Sequence, residues 1–233
     1  MGKVVLYGSV SVDGYISDEQ DQPEPLFDWR TNGDVALGAD GQLRVTPSSY
    51  DYTQSYWDRI GVTIAGRRVF ALTDGWGGAP PSGVDHMVIV TRRPPPEGWG
   101  PRGSFFFADG VEAAVARAQD LAPDRIVEVA AGDVGGQAFA AGFVNEMRMD
   151  IAPVAFGAGH RFFGSVDAMH SLGDPRWLPA REYSTCAMTF MRGSGSMRSG
   201  VAHSGMLKYS HSLGQLPTCA SVSTHGRCRH YAK

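Results

Sequence analysis

Cysteine is scarce. The chain has three, Cys186, Cys219 and Cys228, an odd number that matches neither a disulfide framework nor a zinc-ligand spacing. That excludes a disulfide-stapled secreted scaffold and fits a reducing compartment. Long apolar runs are missing too: no stretch approaches the roughly 18–20 residues of a membrane span. The opening MGKVVLYGSVSVDG has one lysine and an apolar run broken by Ser9 and Asp13, unlike a signal peptide, so a cytoplasmic location is expected. Acidic residues stop at Glu182, and residues 193–233 carry five Lys/Arg. The first 192 residues therefore hold 16 basic against 24 acidic side chains, within an overall net charge of −3. An acidic body argues against a nucleic-acid surface, and any basic cluster inside it stands against the prevailing field. What is present is ordinary for a soluble globular protein: 42% hydrophobic and 19% charged residues. A chain of 233 residues can bury one large or two small cores.

Residues 4–12 form a near-continuous valine-rich run, the pattern of a strand buried on both faces of a parallel sheet. Asp13-Gly14 then marks a turn. Residues 18–28 (DEQDQPEPLFD) read as an exposed loop leading to Phe27 and Trp29, aromatics that either line a cleft or anchor the loop. Thr46 is a plausible N-cap with Pro47 at the first helical position, and Gly61 ends that helix. Residues 62–65 form a strand that runs into Gly66-Arg67-Arg68. Residues 86–90 form another, ending in Thr91-Arg92-Arg93 and three prolines. Paired arginines at two strand carboxyl ends fit a phosphate clamp, because the guanidinium fork matches phosphate oxygens; a solvated helix start is the competing reading. Ligands of open α/β sheets lie outside the carboxyl ends of strands, so the recurrence carries weight.

Residues 105–107 read as a short strand and residues 111–121 as an amphipathic helix. Residues 127–163 read as one βαβ unit: a strand, a glycine turn over 132–136, a short helix over about 137–141, and an apolar strand over 147–151. A glycine turn before a helix N-terminus suits a phosphate, although turn geometry alone also calls for glycine. The last strands are expected at 169–172 and 187–191 as an antiparallel closing pair joined by the polar 173–184. Residues 193–233, rich in serine, glycine and histidine, are expected to be a disordered or non-native basic tail. Their His and Cys spacings match no zinc pattern, so no metal is expected.

Several motifs in order resemble the dihydrofolate reductase-like superfamily, and within it the reductase domain of bacterial riboflavin biosynthesis and its stand-alone relatives. They are Ser11-Val12-Asp13-Gly14-Tyr15-Ile16, Asp28-Trp29, Gly66-Arg67-Arg68, Thr91-Arg92, Ala131-Gly132-Asp133, and residues 141–146 (AGFVNE) followed by Pro153 and Gly157-Ala158-Gly159. The resemblance covers about residues 3–192. It implies a three-layer α/β/α sandwich around a mainly parallel sheet, NADPH across the strand carboxyl ends, a pteridine- or pyrimidine-type heterocyclic substrate, and a homodimer. By the same implication Arg67, Arg68, Thr91 and Arg92 hold the cofactor phosphates. Gly66, Gly132, Asp133, Val134, Gly135 and Gly136 give its pyrophosphate room, and Gly14 closes over the nicotinamide. Ser11 and Trp29 border the substrate, with the proton coming from Asp13, Asp28, Asp34 or an ordered water. The sequence departs from the family pattern at Val69, where relatives often carry threonine, and at Ala131, where they carry glycine. A carboxylate on the helix after the tryptophan is also missing. The missing carboxylate disfavours dihydrofolate reductase activity, the alternative among enzymes, and the departures at Ala131 and Val69 leave room for a non-catalytic nucleotide-binding module.

Overall fold

The computed structural model describes residues 2–38, 41, 43–97, 99, 103–173, 176–178 and 186–191; for 176–178, 186–191 and Ser82 only the backbone is described. In chain order the elements are β1 (Val4–Ser11), β2 (Tyr15–Ser17), β3 (Val35–Leu37), β4 (Leu43–Val45), α1 (Pro47–Trp57), β5 (Ile60–Gly66) and α2 (Arg67–Leu72). Then follow β6 (His86–Val90), β7 (Phe105–Ala108), α3 (Val111–Leu121), β8 (Ile126–Ala130), α4 (Asp133–Ala140), β9 (Glu146–Ala152), β10 (His160–Arg161), β11 (Arg176–Leu178) and β12 (Cys186–Met191). Eight strands make one sheet in the order β11-β12-β9-β1-β8-β5-β6-β7. The run from β9 to β7 is parallel throughout, while β12 pairs antiparallel with β9 and β11 antiparallel with β12. A mainly parallel sheet with helices on both faces is the expected architecture.

The two sheet faces differ in chemistry. One is apolar: Leu6, Val10, Val62, Ile64, Val127, Val129 and Met147 pack against Ala114, Val115 and Ala118 of α3 and Ala138 and Phe139 of α4. The opposite face lies under α1, where Tyr56 and Trp57 join Val5, Ile60 and Ile126 in a second cluster. Strand register gathers polar side chains on this second face, since Tyr7 stands beside Arg148, Ser9 beside Asp150 and Thr63 beside Glu128. Helix α1 starts as its sequence dictates, with Pro47 at its first turn and the Thr46 hydroxyl accepting from the Ser49 N–H at 3.3 Å.

Two local expectations are revised, and one open alternative is decided. Helix α4 begins at Asp133 rather than near 137, so Gly135 and Gly136 are helical and not part of a turn. Packing explains this: a Cβ on Gly135 would come within 2.4 Å of Leu6 Cδ1, and one on Gly136 within 2.0 Å of the Phe163 carbonyl oxygen. Gly132 alone makes the turn, at φ +104°. The closing antiparallel pair exists, but its first strand is Arg176–Leu178, inside the segment expected as a connection; residues 169–172 form no strand. Three residues are too few for alternation to show, and Pro175 and Pro179 disguise them as loop. Trp29, 5% exposed, anchors its loop in the cluster under α1. The tail expected at 193–233 lies outside the described residues.

Candidate functional site

The carboxyl ends of β1, β5 and β8 open into a cleft of about 940 Å³. Tyr7 and Ser9 form part of its floor, Gly132, Asp133 and Val134 one wall, and Gly66, Arg68 and Trp76 another. A smaller cavity of about 360 Å³ lies at the opposite end of the sheet, around Lys3, Arg125 and Arg148. Its cations are spent on neighbours: Lys3 and Arg148 pair with Glu146, and Arg125 pairs with Asp85. The large cleft is therefore the candidate site.

Of the residues singled out in the sequence, Gly66, Arg68, Gly132, Asp133 and Val134 line the cleft. The adjacent arginines diverge. Arg67 turns away and donates from Nη1 to the Pro94 carbonyl at 3.0 Å, tying the ends of β5 and β6 together. Arg68, 61% exposed, makes a two-pronged contact with Asp21, Nε to Oδ1 and Nη2 to Oδ2, both at 2.7 Å. The pairing holds the Asp21 carboxyl below its ordinary range, chiefly through the hydrogen bond from Arg68. His160 Nε2 lies 3.2 Å from the same carboxylate. Asp133 takes a hydrogen bond from Ser165 Oγ at 3.0 Å in the first turn of α4, where the helix end favours its charge. Thr91 closes a local turn by accepting from the Arg93 N–H at 3.0 Å, next to the exposed Arg92. Gly135 and Gly136 are buried in helix packing.

The residues assigned to substrate and catalysis lie outside the cleft lining. Asp13 is a loop fastener. It accepts from Ser11 Oγ at 2.5 Å, from the Gly157 N–H at 2.7 Å and from the Phe156 N–H at 3.2 Å, and these bonds, led by Ser11, hold its carboxyl below the ordinary range. Ser11 also accepts from the Tyr15 N–H at 2.9 Å, and the Gly14 carbonyl accepts from the Phe162 N–H at 2.9 Å. Asp28 and Asp34 are exposed, and Trp29 is core.

In their place the structure puts a buried polar set under α1. Asp150, 0% exposed, accepts from Tyr7 Oη at 2.6 Å on Oδ2 and from Tyr52 Oη at 3.0 Å on Oδ1. Burial pushes its carboxyl up, against the pull of the tyrosine hydrogen bonds and of Arg30 and Arg148. Glu128 accepts from Thr63 Oγ1 at 3.2 Å on Oε1, while its Oε2 reaches no solvent and no well-formed hydrogen bond; burial raises its pKa to about 7, against the pull of the Tyr56 and Thr63 hydroxyls. Arg30, in the 3-10 turn Asp28–Arg30, lines the cleft with its guanidinium 4.4 Å from the Phe27 ring centroid and 5.3 Å from that of Trp29. These residues sit within strands that read as apolar, or beside a motif tryptophan. The signal that marks them is the two-residue spacing of Arg148 and Asp150 in MRMDI and the lone Glu128 in VEV, one polar face written across two strands. Among the described residues, no group of three or more His, Cys, Asp or Glu side chains converges as metal ligands, and no helix is long and apolar enough to cross a membrane.

No family model matches the chain, and no curated protein matches it in sequence. Solved structures do. A candidate riboflavin biosynthesis protein from Shewanella sp. PV-4 aligns with a TM-score of 0.60 at 16% identity, over 83% of this chain and 99% of that one. Dihydrofolate reductase from Enterococcus faecalis, complexed with NADP(H) and RAB-propyl, aligns with a TM-score of 0.50 at 16% identity, over 82% and 96%. The chain has a dihydrofolate reductase-like fold.

Proposed function

We propose that this chain, with its dihydrofolate reductase-like fold, is an NADPH-dependent reductase of a pteridine- or pyrimidine-type heterocycle, of the kind used in riboflavin biosynthesis. The observation that carries the reading is the cleft itself, one opening across three strand carboxyl ends with a guanidinium on one wall and a helix entered through a glycine on the other. The residues fit the cofactor. The Asp21 carboxylate fills the Arg68 fork as two oxygens of a phosphate would, and the exposed pair is cheap to exchange. At Gly132, φ +104° excludes a side chain where the dinucleotide backbone would pass. Arg68 would hold a phosphate, with Arg92 and Thr91 at the neighbouring strand end, and Gly132 to Val134 would face the pyrophosphate. The cofactor supplies a hydride. This chain binds and orients the acceptor against it, stacks Phe27 and Arg30 beside the ring, and keeps water from the floor. A homodimer in the cytoplasm is part of the proposal.

Nucleotide titration tests this. NADPH should quench the fluorescence of Trp76 in the cleft wall and bind more tightly than NADH, and Arg68→Ala should weaken NADPH about tenfold with a smaller loss for NADH. Equal losses would remove Arg68 from the 2′-phosphate, and no binding of either nucleotide would remove the reading. Asp21→Asn frees the fork while keeping a residue that tolerates φ +64°, and should tighten NADPH up to about fivefold. Oxidation of bound NADPH by dihydrofolate and by the aminouracil ribosyl phosphate of riboflavin synthesis then separates the two substrate classes. Binding with no oxidation by either would favour the non-catalytic module.

A further inference from the structure

We propose that Tyr7 is the proton donor of the cleft and that Asp150, buried behind it, is the positioning residue that stores the proton. The inference rests on the reductase reading and names the group that completes its reaction. Reducing a C=N or C=O bond adds a hydride to carbon and a proton to nitrogen or oxygen. The cofactor, oxidised in the process, accounts for the hydride and both electrons, and the protein or solvent must provide the proton.

Tyr7 is placed for this. It lines the cleft floor on β1 next to Ser9, and its Oη is 2.6 Å from Asp150 Oδ2. Asp150 is 0% exposed, and Tyr52 Oη holds its other oxygen at 3.0 Å. Asp13, Asp28 and Asp34 all stand outside the cleft lining. When Asp150 is ionised, Tyr7 donates to it. When Asp150 carries a proton on Oδ2, the same bond runs the other way, and the Tyr7 hydroxyl hydrogen is released from Asp150 for an acceptor bound over the floor. Transfer breaks the Tyr7 O–H bond and forms the acceptor's N–H or O–H bond, while the Asp150 proton moves to Tyr7 Oη. Asp150 is left as a carboxylate accepting from two phenols, and it regains its proton from solvent between turnovers.

The groups that face Asp150 set where it titrates. Tyr52 of α1 and Tyr7 of β1 donate to it, Arg148 of β9 and Arg30 of the 3-10 turn stabilise its anion, and Glu128 of β8, itself raised by the Asp150 charge, is coupled to it. Burial prevails and raises the carboxyl. Donation by a raised acid is present at low pH and lost as pH rises through its pKa.

Infrared spectra of the full chain in H2O and D2O across pH 5 to 9 test the store without cofactor or substrate. A protonated-carboxyl band belonging to Asp150 is expected in the wild type, absent in Asp150→Asn and shifted in frequency in Tyr7→Phe. Glu128→Gln removes the second buried carboxyl from the same region, so a band that persists in it and is lost in Asp150→Asn belongs to Asp150, even where its midpoint moves. A spectrum in which no band is lost on Asp150→Asn overturns the proposal. That band present in a protein that binds neither NADPH nor NADH would count against the reductase reading and for the store. Where NADPH is oxidised by dihydrofolate or the aminouracil ribosyl phosphate, Tyr7→Phe should slow hydride transfer about 100-fold with NADPH affinity unchanged. Asp150→Asn should flatten the fall in rate at rising pH. An unchanged rate in Tyr7→Phe overturns the donor role.

Discussion

Alanine at Gly136 should lower the melting temperature by roughly 4–8 °C and weaken NADPH at the proposed cofactor site in the fraction that stays folded. The added Cβ would lie 2.0 Å from the Phe163 carbonyl oxygen, 2.8 Å from its carbonyl carbon and 3.1 Å from Val166 Cγ2. The first two are backbone atoms, and the carbonyl is already fixed by the Val166 N–H at 3.3 Å, so no side-chain rotation relieves the contact. Either α4 lifts off the sheet or residues 163–166 move. Overpacking of this kind costs about 3 kcal/mol, and alanine's better helix propensity returns about 1 kcal/mol. The remaining ~2 kcal/mol corresponds to several degrees in a domain of this size. Because Asp133 and Val134 at the start of the same helix form a cleft wall, the displacement should reach the proposed nucleotide site. Gln137→Ala, an exposed position one residue along the helix, is the control and should leave both quantities nearly unchanged. A Gly136→Ala protein as stable as wild type would mean that the helix entrance is not packed as described.

The same glycines explain part of what a linear reading could and could not recover. The valine run of β1, the Thr46-Pro47 start of α1 and the amphipathic α3 were legible because each rests on local chemistry: burial on two faces, a cap, a 3.6-residue period. Gly135 and Gly136 were not, since close helix packing and turn geometry call for the same letter. Arg67 and Arg68 are likewise indistinguishable in sequence, yet neighbouring positions on a helix point about 100° apart, and one ties down a loop while the other reaches the cleft. The acid was the hardest case. Carboxylates near Trp29 are natural candidates along the chain, whereas the buried carboxylates under α1 come from β8 and β9. Tyr7 and Asp150, 143 positions apart, meet because β9 crosses back to lie beside β1. Only the phase of polar residues in those strands hints at a shared polar face, and phase gains meaning once strand order is known.

That polar face carries a stability cost, and Glu128→Gln should reveal it. Glu128 has one oxygen bonded to Thr63 and the other without solvent or a well-formed hydrogen bond, the Tyr56 hydroxyl acting on it only weakly against burial, and its pKa rises from an ordinary 4.5 to about 7. Burial is the main cause, opposed by hydrogen bonding and by the Arg30 charge. A carboxyl raised in the folded state binds its proton more tightly there than in the unfolded chain. The stability it lends is therefore complete below about 4.5 and lost as pH climbs through about 7. The gap corresponds to about 3 kcal/mol. Glutamine keeps an acceptor for the Thr63 hydroxyl and carries no charge, so the variant should be more stable than wild type at pH 8 by about 2–3 kcal/mol, with a melting point higher by roughly 4–10 °C. At pH 4.5 the two should nearly coincide. Chemical denaturation of both proteins at the two pH values measures this directly, and a variant less stable than wild type at pH 8 would mean that the Glu128 charge is compensated in the fold. The substitution should also act on the neighbouring acid. The Asp150 charge is among the causes that raise Glu128, and the coupling of two carboxyls is mutual, so removing Glu128 should shift the upper part of the Asp150 infrared titration to lower pH. If stability at pH 8 rises while the Asp150 band keeps its midpoint, the two carboxyls titrate independently. If both move, the buried charge that destabilises this fold is the one that keeps a proton available at the floor of its cleft.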